Sequence, residues 1–419
     1  MLRLRALEVR GYRAFAGWTR LDLRPLTMVY GRNNAGKSSL LRLLAILADS
    51  VEEGATSALE MRGDAGRGGK FKGLPWMGDG VPRNAFRLRL RWEDGGAAAF
   101  TDEFELAWLD ERSRAVVRSL VIRDGADRLV FSADALPYPD DGRYLVADDE
   151  EQTVAISWMG LRPHCEADSD PSGAEAIDEL STRMHSLRRS VTWLDSSRAR
   201  PPRLVPAQDA APAKLDHDGG NALQFLAADR ELLEAVHRWF ARDPVERDLR
   251  LKPAGEGFVS PMLGSTRNPA EFHLLDAGEG MGHVLPVLVG AAIAARGEGY
   301  RVFAVEEPES HLHGDAQRSL ARHLAQLAAV EDPPVLILET HSRALLLGVQ
   351  LAIAEGCMPA ERGQVVWCEQ GPLGASTLSQ IEFTKEGGLR GWPRTALADE
   401  AQMVRELLDQ QDELSGRGE

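Results

Sequence analysis

The sequence predicts an α/β fold, a mostly parallel sheet covered by helices, with an antiparallel β arm and an inserted helical lobe. Three observations predict it. Short apolar runs at 26–31 (LTMVYG), 300–307 (YRVFAVEE), 333–340 (PPVLILET) and 363–369 (GQVVWCE) alternate with stretches of helical spacing, the pattern of strand–helix–strand units. Between them, FRLRLRW at 86–92 alternates strictly, and AVVRSLVIRDGADRLVF at 115–131 folds back at Asp124-Gly125 as a hairpin. From about 173 to 247 the periodicity turns helical.

Each element follows in order. Residues 1–50 are expected to form the N-terminal part of the core. Leu2, Leu4, Leu7 and Val9 alternate as a strand, LTMVYG is a second strand ending in glycine, and KSSLLRLLAILADS has helical apolar spacing. Residues 51–172 are expected as a β-rich arm, opened by a long glycine-rich connection at 52–84 and continued by a meander at 85–160. Residues 173–247 are expected as the helical lobe, broken by a Pro- and Ala-rich linker at 199–213, with no internal repeat. Residues 248–419 are expected to complete the core and to end in a helix, ADEAQMVRELLDQQ, at 398–411.

Bulk properties narrow the class. With 419 residues the chain is long for one compact unit, so one core with insertions is expected. No apolar run reaches the ~18 residues that cross a bilayer, and the start reads as strand rather than signal peptide, so a cytoplasmic protein is expected. Cys165, Cys357 and Cys368 form no C-x-x-C pair, which argues for reduced thiols. The net charge of -15 argues against a surface coated for DNA, although a local basic groove fits within an acidic whole.

Residues 31–38, Gly-Arg-Asn-Asn-Ala-Gly-Lys-Ser, fit G-x-x-x-x-G-K-[ST] between a predicted strand and a predicted helix. The chemistry follows from the residue types. Glycines Gly31 and Gly36 let backbone N–H groups turn toward phosphate oxygens, Lys37 neutralises β and γ charge, and Ser38 can ligate magnesium. Val302–Val305 is an apolar strand that ends in Glu306 and Glu307, and a strand tip is where an α/β sheet presents chemistry. Glu306 is expected in the magnesium shell, where aspartate is more usual, and Glu307 as the general base for an attacking water. His341, 34 residues beyond Glu307, follows a third strand and can reach a γ-phosphate.

With these motifs in place, the chain resembles the SMC-related AAA-family ATPases typified by the overcoming-lysogenisation-defect (OLD) proteins and the ATPase subunits of the Septu and PARIS antiphage systems. The resemblance rests on G-x-N-x-x-G-K-S-S at 31–39, E-E-P-E-x-H-L-H at 306–313 and T-H-S at 340–342. GYRAF at 11–15, WLDSSRARPPR at 193–203 and GLRGWP at 388–393 add to it. It implies an ABC-type P-loop ATPase core using ATP and Mg2+, with Gly31, Asn33, Asn34, Gly36, Lys37, Ser38 and Ser39 at the nucleotide, Ser38 and Glu306 at the metal, and Glu307 and His341 as catalytic groups. It also implies that 276–286 is the signature segment that caps a partner subunit's γ-phosphate, through Gly280 and Gly282. Serine is common where Gly282 stands, so a hydroxyl donor is missing, and restoring it is expected to raise hydrolysis about tenfold. His311 and His313 belong by resemblance to the strip where two subunits touch.

Three features are less determinate. No residue coupling the metal to the lobe is recognisable in 60–85. Arg183, Arg188, Arg189, Arg198, Arg200 and Arg203 are either a solvated face or a contact for phosphate. The residues after Ser342 are too few for an attached TOPRIM-type nuclease module. The leading expectation is therefore an ATP-hydrolysing switch or sensor, dimeric or of higher homo-oligomeric state. It would act in a bacterial antiphage defence or DNA-processing complex, with a separate nuclease or toxin as effector, nucleic acid or a phage protein as a further ligand, and no membrane. The alternative is a largely non-hydrolysing ATP-dependent scaffold that sequesters a toxic partner. A transporter ATPase is disfavoured because no LSGGQ string is present.

Overall fold

The computed structural model describes residues 2–78, 80, 83–136, 143–146, 149–165, 171–207, 210–265, 270–297 and 300–393. The helix expected at 398–411 lies outside them.

The apolar runs form the core sheet: β3 (Leu26–Gly31), β11 (Val191–Leu194), β16 (Val302–Glu306), β17 (Val335–Glu339), β18 (Gly363–Gln370), β19 (Ser376–Phe383) and β20 (Leu389–Arg390). Their order is β11-β16-β17-β3-β18-β19-β20, parallel from β11 to β18 and antiparallel at β19 and β20. Both faces of the parallel strands are covered, so these are apolar almost throughout, whereas the antiparallel β19 exposes much of its length. Phe303, Val305, Leu336 and Leu338 point into one core with α3 (Ala222–Ala228), α4 (Arg230–Phe240), α5 (Glu279–Arg296), α6 (Gly314–Ala328) and α7 (Arg343–Ala354). Ala304, Ile337 and Val29 point into the other, with α1 (Lys37–Asp49) and α2 (Pro171–Leu187).

The second core is closed by a nine-stranded antiparallel sheet. It contains β1 (Leu2–Arg10), β2 (Thr19–Asp22), β4 (Ala85–Asp94), β5 (Ala97–Leu109), β6 (Arg114–Asp124), β7 (Leu129–Ala135), β8 (Arg143–Val146), β9 (Asp149–Met159) and β10 (Arg162–Cys165), in the order β10-β9-β8-β7-β6-β5-β4-β1-β2. The Asp124-Gly125 hairpin stands between β6 and β7. β1, grouped with the core by sequence order, is a member of the arm sheet because its apolar register matches β4: Leu7 faces Leu90 and Val9 faces Leu88. Helix α1 is thus sandwiched between two sheets, which explains why LLRLLAILA is apolar on nearly every side.

The helices of 173–247 serve different faces. Ile177, Leu180 and Met184 of α2 pack on the arm, while Leu226, Trp239 and Phe240 of α3 and α4 belong with α5. β11 lies between them at the edge of the core sheet, since its four residues are all buried and extend the apolar ladder of β16. A small sheet of β12 (Val205–Pro206), β13 (Arg247–Pro253), β14 (Phe258–Ser265) and β15 (Glu271–His273) flanks α4 and leads into α5.

Candidate nucleotide site

The loop 31–36 leaves the end of β3 and enters α1 under tight backbone constraint. Gly31 has φ 147°, and a Cβ there would lie 2.1 Å from the carbonyl oxygen of Cys368, so no side chain fits. Gly36 caps α1 at φ 98°, against the Phe15 ring, while Asn34 adopts φ 64°, the left-handed region that asparagine tolerates best after glycine. The GYRAF turn braces this loop: Tyr12 Oη donates to the Ser39 carbonyl at 3.1 Å, and the Ala14 carbonyl accepts from Ser376 N at 2.7 Å. Asn33 and Asn34 are exposed at the tip, and the Ser39 N–H is bonded to the Gly36 carbonyl.

Lys37 is 3% exposed and curls back, donating to the carbonyls of Gly31 at 3.0 Å and Arg32 at 2.8 Å. Burial lowers its pKa from the ordinary value, with Glu339 and Glu307 opposing that shift. Ser38 Oγ donates to Glu339 Oε1 at 2.8 Å. Glu339 ends β17 directly beside Glu306 on β16. Burial, then the neighbouring Glu306, pushes its carboxyl up to about 7. Its other oxygen, Oε2, is buried without a hydrogen-bond partner.

Glu306, expected in the metal shell with Ser38, is held elsewhere. Arg42 grips it with two bonds, Nε to Oε1 and Nη2 to Oε2, both 2.8 Å, and Trp193 Nε1 adds a third at 3.1 Å. The stretch 60–85 contributes Arg67, which pairs with Asp195 and stands 3.8 Å from Glu306 Oε2. A guanidinium fork satisfies a carboxylate in the plane of both its oxygens, so these contacts occupy the acid that the sequence assigns to the cation.

Glu307 is exposed at the strand tip with φ 46°. Its N–H donates to the Glu339 carbonyl at 2.7 Å, and its Oε2 accepts from Ser310 Oγ at 3.0 Å. Arg198 lies beneath, 6% exposed, donating to the carbonyls of Glu306 at 2.6 Å and Glu307 at 2.9 Å. Burial lowers its pKa to about 10, and its Nε and Nη1 have no partner. His341 follows β17, its carbonyl accepting from Tyr30 Oη at 2.6 Å. Burial and the Lys37 ammonium lower its imidazole pKa, which favours the neutral ring. Glu309 ties the two strand tips together, accepting from Thr340 Oγ1 at 2.6 Å and from His341 N at 3.3 Å.

The glycines of the signature segment lie against the chain itself. A Cβ on Gly280 would stand 2.4 Å from the His311 carbonyl, and one on Gly282 would stand 3.0 Å from Pro201 Cδ. His311 packs edge-on to His283 with ring centroids 4.6 Å apart, and among the described residues no group of three or more His, Cys, Asp or Glu side chains is arranged to hold a metal ion. The segment 193–203 is therefore a strap. Trp193 and Arg198 touch the end of β16, while Arg200 reaches Glu279 at 3.0 Å and Arg203 reaches Asp276 at 2.9 Å, both beside the start of α5. Arg183 is paired with Asp102, and Arg188 with Glu52 and Glu53.

Sequence reasoning located the loop and both strand tips. It missed Glu339, Arg42, Arg67 and the clamping role of Glu309. Glu339 had one available signal, an acid at the end of an apolar strand, two residues before His341. Arg42 and Arg67 carried none, because their partner is far away in sequence.

These features define a P-loop protein of the α/β class, its phosphate loop between β3 and α1. The family model described as "AAA domain, putative AbiEii toxin, Type IV TA system" matches residues 26–85 and 176–348, more than half of the chain, and the chain belongs to that family. The unmatched interval between the two blocks holds nearly all of β4 to β10. No curated protein matches the chain. Solved structures similar to it include an SMC head bound to the C-winged helix domain of ScpA, with TM-score 0.47, 11% identity, and coverage of 91% of this chain and 98% of that one. The SMC head domain from Thermotoga maritima gives TM-score 0.44 and 11% identity over 91% and 99%. An SMC head with an extended coiled coil, bound to the C-terminal domain of ScpA derived from Pyrococcus furiosus, gives 0.46 and 11% over 97% and 100%. Among the described residues no helix is long and apolar enough to cross a membrane.

Proposed function

We propose that this chain is a cytoplasmic ATPase switch that binds ATP with Mg2+ and works as a homodimer or higher homo-oligomer. Its state would be read by a separate effector, a nuclease or toxin, in antiphage defence or DNA processing. The observation that carries this reading is convergence: Lys37 and Ser38, Glu307, and His341 follow the C-terminal ends of three adjacent parallel strands, β3, β16 and β17, and so stand at one end of the sheet.

The residues present suit the triphosphate and its cation. Lys37 is a buried ammonium satisfied only by carbonyls of its own loop, and an unpartnered buried carboxylate oxygen of Glu339 stands beside the Ser38 hydroxyl. Gly31, Asn33, Asn34, Gly36, Lys37, Ser38 and Ser39 would hold the phosphates, and Ser38 with a carboxylate at a strand tip would hold the cation. When bound, the cation supplies neutralisation of phosphate charge. Glu307, exposed and steadied by Ser310, would accept the proton of the attacking water. His341, favoured as the neutral ring, would hydrogen-bond at the γ-phosphate.

Lys37→Ala is expected to abolish ATP binding in a titration. Glu307→Gln is expected to bind ATP and to hydrolyse it about 100-fold more slowly, the scale of losing a general base. Normal turnover in Glu307→Gln would assign the base to another residue.

One observation favours the second reading, a largely non-hydrolysing ATP-dependent scaffold that assembles into oligomers and sequesters a toxic partner. Gly282 is buried against Pro201, so a serine there would have to push the Pro201 ring aside by a few tenths of an ångström. Turnover at background with tight ATP binding and ATP-dependent assembly would select it. The family's description as a toxin of a type IV toxin–antitoxin system supports a conflict setting for either reading. The trigger would be nucleic acid or a phage protein: of the arginine cluster, Arg183 and Arg188 are engaged by acids of the chain itself, while Arg189, Arg200 and Arg203 are exposed.

A further inference from the structure

We propose that the carboxylate of the cation shell in this chain is Glu339, one strand over from the acid that ends β16, and that Glu306 is a positioning residue committed to Arg42. The inference rests on the ATP–magnesium reading above and deepens it by reassigning one ligand.

The two acids sit side by side at the tips of neighbouring parallel strands, so exchanging their roles requires a lateral step of only about 4.8 Å. Their surroundings differ. Glu339 is 7% exposed, its Oε1 accepts from the hydroxyl of Ser38, and its Oε2 is buried with no donor. A buried carboxylate oxygen without a partner is unfavourable, and in native proteins such an atom is normally matched by a donor, a water or an ion. Magnesium retains several of its waters and needs only one or two carboxylates beside phosphate oxygens, so a cation on Ser38 Oγ would present a water to Glu339 Oε2. Ser38 can donate its proton to Glu339 while offering a lone pair to the cation.

Glu306 has no such vacancy. Both its oxygens accept from Arg42, Oε1 also accepts from Trp193, and the residue is 3% exposed. Releasing it would strand the guanidinium of Arg42 in a largely buried position. The arrangement instead suits a strut. Arg42 lies on α1, five residues beyond Lys37, and Trp193 begins the strap, so Glu306 ties the phosphate helix, β16 and the strap into one unit.

The test uses the full chain and a fluorescent ATP analogue, mant-ATP, titrated in EDTA and in saturating MnCl2. Wild type is expected to bind about tenfold more tightly with the metal. Glu339→Gln should keep the metal-free affinity and lose that gain, and its Mn2+ electron paramagnetic resonance spectrum with nucleotide should change. Glu306→Gln should keep the gain. Each variant's melting midpoint is read alongside. If Glu306→Gln does not fold, Glu339→Gln and Glu339→Asp decide alone. An intact metal gain in Glu339→Gln overturns the inference, as does its loss in a folded Glu306→Gln. Failure of wild type to bind mant-ATP in either buffer overturns the nucleotide reading itself, and the inference with it.

Discussion

Gly282 shows how one residue can change meaning between sequence and structure. As a departure from serine it reads as a missing donor, and restoring the hydroxyl is expected to speed hydrolysis. In the folded chain a Cβ at this position would stand 3.0 Å from Cδ of the Pro201 ring, which is tied to the backbone and cannot swing away. Gly282→Ser is therefore expected to displace the strap by a few tenths of an ångström. It should destabilise the protein by about 1 kcal/mol, the low end of overpacking costs, and leave hydrolysis unchanged or slower. Turnover and urea unfolding of this variant check both parts, and a rise in rate would restore the missing-donor account.

Helix α2 illustrates the element scale. Arg183, near its end, reads with the arginines that follow as a solvated face or a phosphate contact, yet it is 2% exposed and makes a bidentate bond to Asp102 of β5, at 2.9 and 2.7 Å. Asp102 is fully buried and also accepts from Trp92 Nε1 at 2.8 Å. Removing one member of such a pair leaves an uncompensated charge, so Arg183→Ala is expected to cost about 3–5 kcal/mol. The double variant Arg183→Met with Asp102→Asn should recover much of that loss. Chemical unfolding measures each, and a loss below about 1 kcal/mol for Arg183→Ala would mean that α2 is held by its apolar face alone.

At the scale of the whole molecule, the strap joins the end of β16 to the first turn of α5. If α5 caps a nucleotide on a second copy, the strap links that contact to this subunit's own Glu307. Glu307→Gln with ATP and Mg2+ is therefore expected to run at twice its monomer mass in size-exclusion chromatography with light scattering, and Lys37→Ala to remain monomeric. The highly purified wild-type chain is expected to cleave neither plasmid nor RNA. Among its described residues no group of three or more His, Cys, Asp or Glu side chains is arranged to hold a metal ion. Cleavage lost on mutation of this chain's own acids would reveal an active site in it.

The sequence by itself determined the features that local chemistry dictates. A loop that must turn N–H groups toward phosphate needs glycine at 31 and 36, and a strand buried on both faces must be apolar until it emerges at its tip. Those demands are written in consecutive residues, so the phosphate loop, the paired acids, His341, the meander and the parallel strands were all legible. The tertiary structure decided which acid meets which base. Glu306 and Glu339 are equivalent on the page, each an acid ending an apolar strand. Only the packing of α1 and the strap against β16 delivers Arg42 and Trp193 to one and leaves Ser38 to the other. Likewise β1 joined the arm sheet and α2 the arm's core through pairings set by partners distant in the chain. Contacts of that kind are fixed by which surfaces exclude water together, and no periodicity within a segment encodes them.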